Sequence, residues 1–475
     1  MSIAAPVPTA GLLPFELRRA LERSGPVLPL LADKSGSRGA GRGELSHHKR
    51  QRRGWTVLAA VVFISGGLVM AANSDVSVGG EASGVEATID PSTLPPGSMY
   101  HVVDQIGARS VWSQGITGAG VTVAVIDSGI SPGPAISTDK IVATVDLTAE
   151  AIDPSTRYLD TNGHGTMMSG IIAGAEAGAD PLTSAEHAGD FLGVAPDAGI
   201  VSVKIAGRDG SSDPADAVAG VDWVIANADE LGIRVINLSY SSGSSLPYTE
   251  DPLTAAVERA WKAGITVVTI AGNDGSTSTQ LASPGIDPYV ITVAAADAND
   301  SGLFIADFSN SGDGVRNPDV AAPGAHIQSL RALGSDADVN HSDVGGVDAD
   351  PMLFTGTGTS QSAAVTSGVL ALLFQAFPDM TPDQAKALLI ETATPIPGSD
   401  SDAGANLIRA DRAIAASLPE ATQAWTSAGE QNPADLSALT SCDAVGCWAG
   451  PELGGAHLGG AHLGGAHLGG AHLGG

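Results

Sequence analysis

Cysteine is almost missing from the 475 residues: Cys442 and Cys447 are the whole complement. Both stand near the C-terminus, so the long central region has no thiol nucleophile. A C-x4-C pair in an exported tail could close a small disulfide loop, and two thiols alone do not make a structural zinc site. Basic residues are scarce too, with 23 Lys and Arg against 52 Asp and Glu and a formal charge of -29. Residues 1–54 hold ten Lys/Arg and four Asp/Glu, a net of +6, so the remainder carries -35. So acidic a remainder excludes nucleic acid as a partner, because phosphate binding needs clustered Lys and Arg. The acidity reads as solubility, with calcium binding as the second reading.

Long apolar runs come down to one. Residues 54–74, GWTVLAAVVFISGGLVMAANS, carry no charge; they follow Lys49, Arg50, Arg52 and Arg53, and the next charge is Asp75. About 18 of them are apolar, the lower end of what spans a hydrocarbon core. The positive-inside rule puts residues 1–53 in the cytoplasm and the chain after about residue 75 outside. Two readings compete. One is a transmembrane signal anchor; the other is a signal peptide cut near Val69-Met70-Ala71. The long basic leader argues for the anchor, Gly66-Gly67 argues against a permanent span, and Arg52-Arg53 matches a twin-arginine signal poorly. Both readings place the working part outside the cytoplasm, anchored through residues 54–74 or secreted.

Residues 1–53 read as a basic disordered segment and residues 75–99 as a linker or short prosegment. From 100 to 394 the pattern turns globular. VTVAVID (121–127), VSVKIAG (201–207), RVINLSY (234–240), ITVVTIAG (265–272) and VITVAA (290–295) read as short buried strands. Helices between them open on an acid and a proline, at Asp213-Pro214 and Asp251-Pro252, the pattern of an N-cap before the first helical residue. The alternation implies an α/β fold, a parallel β-sheet flanked by helices on both faces, with working residues at the carboxyl ends of strands. Residues 395–450 form an Ala-, Ser- and Asp-rich extension with one short helix near 406–417. Residues 451–475 are a tail in which AHLGG recurs four times.

Three motifs carry the chemistry. Asp127 closes the strand VAVIDSG, His164 sits in TNGHGTMMSG, and Ser360 sits in FTGTGTSQSAAVTSG at a loop-to-helix step. A serine hydroxyl is a weak nucleophile and needs a base. Imidazole titrates near neutrality, and an acid beside it fixes its tautomer. Glycines next to His164 and Ser360 let a substrate backbone approach. Asn273, after ITVVTIAG, has an amide able to donate to a tetrahedral oxyanion. Each match alone is more often structural; together, in this order, they make a catalytic triad with an oxyanion donor.

These residues resemble the subtilisin family (subtilases). The similarity rests on Val125-Ile126-Asp127-Ser128-Gly129, Gly163-His164-Gly165-Thr166, Gly358-Thr359-Ser360 and Ala271-Gly272-Asn273, with Val235-Ile236-Asn237-Leu238-Ser239 and Val320-Ala321-Ala322-Pro323-Gly324 beside them. It covers about residues 100 to 394. It implies a serine endopeptidase acting on polypeptides through an acyl-enzyme, with no cofactor needed for the chemistry. Ser239, Tyr240, Ser241 and Gly272 are then expected along the substrate backbone, as a form of β-augmentation. Asn237 is either a satisfied buried amide or a support of the site. The chain departs from the family at Gln361, Ala364 and Met167, where Met, Pro and His are common; none of these positions supplies a reacting atom. It also has no segment long enough to match the family's folded propeptide between residue 75 and the domain.

Other features are weaker. Asp336-x-Asp338-x-Asn340 starts like a calcium loop, but His341 and Val347 stand where Gly and Glu are needed. An acidic insertion is the plainer reading, with structural calcium as the alternative. The tail's His457, His462, His467 and His472 could bind a transition metal, although a flexible tail fits the composition better. A monomer is expected. The competing function is a catalytically silent member of the same fold acting as an extracellular binding module.

Overall fold

The computed structural model describes residues 89–299, 302–340, 351–397, 405–429, 431–434, 436, 439, 441–448 and 461–462. The basic leader, the apolar run 54–74, the first part of the linker and most of the repeat tail, with His457, His467 and His472, lie outside the described residues. Among the described residues no helix is long and apolar enough to cross a membrane.

In chain order, the first elements are α1 (Met99–Gln105), α2 (Ala108–Trp112), β1 (Thr122–Asp127), β2 (Ile141–Asp146), α3 (His164–Ala173), β3 (Gly199–Lys204) and β4 (Ser211–Ser212). Then come α4 (Pro214–Leu231), β5 (Ile233–Leu238), α5 (Pro252–Lys262), β6 (Thr266–Ile270), β7 (Ile291–Asn299), β8 (Gly302–Ile305), β9 (Val320–Pro323) and β10 (Ile327–Leu330). The last are α6 (Asp336–Asn340), β11 (Leu353–Gly356), α7 (Thr359–Ala376), α8 (Pro382–Thr392), α9 (Ala410–Ala415), β12 (Ser441–Cys442), β13 (Gly446–Trp448) and β14 (Ala461–His462).

The main sheet runs β12-β13-β2-β3-β1-β5-β6-β7-β8, with β9 on β7. Its central pairs are parallel, β1 with β3 and β5, and β6 with β5 and β7. Every residue of β1 and β6 is buried. Successive side chains on a strand point to opposite faces, so both faces of the sheet are covered. This is the α/β architecture expected from the alternation of short apolar runs and helices.

The helix starts follow local chemistry. The Asp213 carboxylate accepts the Ala215 N–H at 2.9 Å ahead of Pro214, and α4 ends on Gly232 at φ 64°. Asp251 caps α5 in the same way, accepting Leu253 N–H at 2.8 Å. The 18-residue α7 carries no charge and is buried from Thr359 to Phe374, as an all-round apolar helix must be. It packs on β5, β6, β7 and β9 and against α3.

Two stretches expected to be peripheral are packed. Ser98 caps α1, and Gly97 O accepts the Gln328 N–H at 2.8 Å. After Thr394, the Asn406 carbonyl accepts Ala321 N–H at 2.7 Å, and Ile408, Ala410 and Ala413 are fully buried in the core. The extension goes on to the hairpin β12–β13, whose second strand lies parallel on β2. Cys442 and Cys447 are joined by a disulfide within that hairpin.

Candidate active site

Asp127 ends β1 and is fully buried. His164 is the first residue of α3, entered through Gly163 at φ 113°, a backbone conformation that favours glycine. His164 Nδ1 lies 2.8 and 2.9 Å from the two carboxylate oxygens of Asp127. An ionised carboxylate only accepts, so Nδ1 carries the proton and Nε2 presents its lone pair. His164 Nε2 is buried with no hydrogen-bond partner. Burial alone would lower the imidazole pKa; the charge and hydrogen bond of Asp127, with the charge of Asp160, outweigh it and hold it above the ordinary value. The imidazole is thus a pre-oriented base.

Ser360 is the second residue of α7 and fully buried, and its carbonyl accepts the Ser239 hydroxyl at 3.2 Å. One residue on, Gln361 Nε2 is 3.6 Å from Met167 Sδ, three residues after His164. Two of the positions that depart from the family pattern therefore touch each other where α7 meets α3. Gln361 and Met167 fill the space between the helix that starts at the serine and the helix that starts at the histidine.

The Asn273 amide is oriented by Thr359. Both the N–H and the hydroxyl of Thr359 donate to Asn273 Oδ1, each at 2.9 Å. A backbone N–H can only donate, so the carbonyl end of the amide faces Thr359 and the NH₂ end faces away. Gly272 sits at φ 113°, and a Cβ there would fall 2.5 Å from Asn310 Nδ2. No other residue fits that turn before Asn273.

Asn237 joins two elements of the site. Its Nδ2 donates to Ser239 Oγ at 3.0 Å, and its Oδ1 accepts the Ser367 hydroxyl of α7 at 2.9 Å. It is both a satisfied core amide and a tie between β5 and the serine helix. Tyr240 is fully buried, and burial together with the charges of Asp213, Asp216 and Asp251 pushes its hydroxyl pKa up. The Tyr240 ring is thus part of the core.

One residue escaped the sequence reading. Asp160, 3% exposed, accepts the N–H of Gly163 at 2.6 Å and of Thr166 at 2.8 Å, and the Ser128 hydroxyl at 2.8 Å. Burial pushes its pKa up against these hydrogen bonds, with a net upward direction. The signal was an acid four residues before His164, at a helix start where carboxylates cap free N–H groups.

Asp336, Asp338 and Asn340 lie together in α6. Asp338 is paired with Arg331 and accepts Gly334 N–H at 2.6 Å, while Asn340 Nδ2 donates to Asp336 Oδ1 at 2.7 Å. These carboxylates are engaged in capping and pairing within the helix and its neighbours. Among the described residues no group of three or more His, Cys, Asp or Glu side chains converges as a metal site would.

A parallel sheet with an Asp–His pair at its carboxyl edge, a serine opening the central helix and a positioned amide beside it describe a class of hydrolytic site. The sequence profile of the subtilase family matches residues 118–417, and the chain belongs to that family. It is 39% identical to serine protease AprX of Bacillus subtilis (strain 168) over 292 residues, 58% of this chain and 62% of AprX. It is 29% identical to the minor extracellular protease Epr of the same organism over 337 residues, 70% of this chain and 44% of Epr. Among solved structures it resembles fervidolysin from Fervidobacterium pennivorans, a keratinolytic enzyme related to subtilisin, with a TM-score of 0.51 and 27% identity; the likeness covers 67% of this chain and 46% of fervidolysin. The chain thus spans less than two thirds of each of these proteins.

Proposed function

We propose that this chain is a serine endopeptidase in which Asp127, His164 and Ser360 act as a triad and Asn273 supplies the oxyanion donor. One observation carries the reading: a buried imidazole with Nδ1 held by both oxygens of Asp127 and Nε2 left without a partner. As Ser360 Oγ attacks the carbonyl carbon of a peptide bond, Nε2 takes the hydroxyl proton. The carbonyl oxygen becomes an oxyanion, and Asn273 Nδ2 donates to it as charge develops. The protonated imidazole then gives its proton to the leaving amine, which frees the new N-terminus and leaves an acyl-serine. Water attacks the ester by the same steps in reverse, and Ser360 regains its proton.

The substrate is a polypeptide in extended form, held through the main chain of Ser239, Tyr240, Ser241 and Gly272. The domain works outside the cytoplasm. The disulfide, the apolar run with its basic leader, and the relative named for its extracellular location all support this. Labelling the full chain with a fluorophosphonate tests the reading. Stoichiometric labelling that disappears in Ser360→Ala is expected; a folded chain that never labels would overturn it.

A further inference from the structure

The hairpin β12–β13 lies beyond the segment matched by the subtilase profile, yet it grips the loop that leads into His164. The Arg157 guanidinium stacks 3.5 Å from the Trp448 ring centre, and Arg157 Nη1 is 3.4 Å from Asp443 Oδ2. The Tyr158 hydroxyl donates to Asp443 Oδ1 at 3.3 Å, and its ring meets Trp448 edge-on at 6.4 Å. From the sheet side, Asp146 Oδ2 accepts the Tyr158 N–H at 3.0 Å, and Asp146 itself is the register partner of Trp448. Tyr158 has φ 67°. A bulky residue keeps such a backbone only where its surroundings hold it. The loop then passes so close to the Asp127 turn that a Cβ at Gly129 would be 2.9 Å from Tyr158 O. Two residues after Tyr158 comes Asp160, which holds Gly163 N–H and Thr166 N–H on either side of His164. The Ser128 hydroxyl lies 2.8 Å from Asp160 and 3.2 Å from Asp127 Oδ1.

We propose that Asp160 is a positioning residue for the His164–Asp127 pair, and that the disulfide-closed hairpin, through Trp448 and Asp443, sets its position. This rests on the endopeptidase reading of the site. The hairpin touches the loop before the histidine, and among the described residues its side-chain hydrogen bonds, ion pair and ring contacts go to Thr144, Arg157, Tyr158 and Leu439. Loosening it therefore changes the alignment of the base and leaves peptide binding alone.

The test uses full chains: wild type, Trp448→Ala, Trp448→Phe, and Cys442→Ser with Cys447→Ser. For Trp448→Ala and the serine pair, kcat on a peptide substrate is expected to fall about tenfold, a modest misalignment of reacting groups, with KM within about twofold. Trp448→Phe keeps an aromatic face under Arg157 and restores kcat. The low-field proton signal of His164 Nδ1–H, identified by its loss in His164→Ala, should broaden in the impaired variants and sharpen again in Trp448→Phe. Where a variant does not fold, reducing and reoxidising the wild-type disulfide replaces it, and kcat should fall and return. A lowered thermal midpoint with unchanged kcat and unchanged Nδ1–H signal would make the hairpin a mere cover for the β2 edge and overturn the proposal. If the wild type never labels with fluorophosphonate, the endopeptidase reading fails separately, and the Nδ1–H signal alone decides the positioning claim.

Discussion

Two of the clusters of buried charge among the described residues have been completed differently. At the carboxyl edge of the sheet, Asp127, His164 and Asp160 are buried together, with His164 standing between Gly163 and Gly165. Elsewhere, Arg316, Asp319, Lys386 and Asp287 form a second cluster. Lys386 Nζ donates to Pro288 O at 2.6 Å and Val290 O at 2.8 Å and lies 3.1 Å from Asp319, so all its donors are used. Arg316 reaches Asp319, Thr292 and the Asp287 carbonyl. Both clusters shift their pKa values: His164 upward, Lys386 down to about 8, Asp287 up to about 7. A perturbed pKa alone would thus nominate both. What separates them is that the first leaves an imidazole nitrogen unpaired at the start of a helix, while the second directs its Lys and Arg donors to Asp319 and to the carbonyls of Asp287, Pro288 and Val290 just before strand β7.

The sharpest way to break this contrast is to remove the base. His164→Ala should lower kcat by about 10⁶-fold, because triad members act as a unit. Its thermal midpoint should stay within a few degrees of wild type. If turnover survives, the first cluster is structural like the second. Next in size is Asn273→Ala. Loss of one oxyanion donor should lower kcat by about 10²–10³-fold with little change in KM; a change in KM alone would mean that the amide holds ground-state substrate instead. The opposite pattern is expected for Lys386→Met. It leaves the Pro288 and Val290 carbonyls without their donor and Asp319 with Arg316 alone, and should destabilise the fold by about 3 kcal/mol, read by denaturant unfolding. The kcat of the folded enzyme should not move.

Much of this was legible in the sequence, for reasons that differ by residue. Strands β1, β3, β5, β6 and β7 are short apolar runs buried on both faces, and α4 and α5 announce themselves with Asp-Pro caps. Those signals are local, so a linear reading finds them. Strand β2 is only partly buried at its start, with Val142 exposed, so it does not read as a buried apolar run. The hairpin β12–β13 takes its stability from a disulfide and from the sheet edge, neither of which shows as periodicity. Asp160 and the Asn273–Thr359 bonds were hidden because their partners are set by tertiary approach: Asp160 meets Ser128, 32 residues away, and Asn273 meets Thr359, 86 residues away. Lys386, whose partners include the carbonyls before β7, is only 7% exposed on helix α8.

The smallest effect sharpens the contrast most finely, because it titrates the second cluster without removing any of its ion pairs. Asp287 is fully buried; Oδ1 accepts Tyr289 N–H at 2.8 Å, while Oδ2 has no partner. Burial raises its pKa from 3.8 to about 7 against that hydrogen bond, with Glu258 adding to the rise and Arg316 and Lys386 opposing it. Between pH 4 and 7 the folded chain therefore holds a proton that the unfolded chain has released. Stability from this group is present below about pH 4 and is lost as pH rises through 7. Asp287→Asn keeps the Tyr289 acceptor and cannot ionise. Its thermal midpoint should gain on wild type as pH rises from 4 to 7, and the two should run parallel above that. Parallel curves across the whole range would mean that Oδ2 is already compensated in the folded chain. The second cluster would then keep a single unpartnered donor, Arg316 Nε, and the buried acceptor left open in these clusters would be the His164 nitrogen.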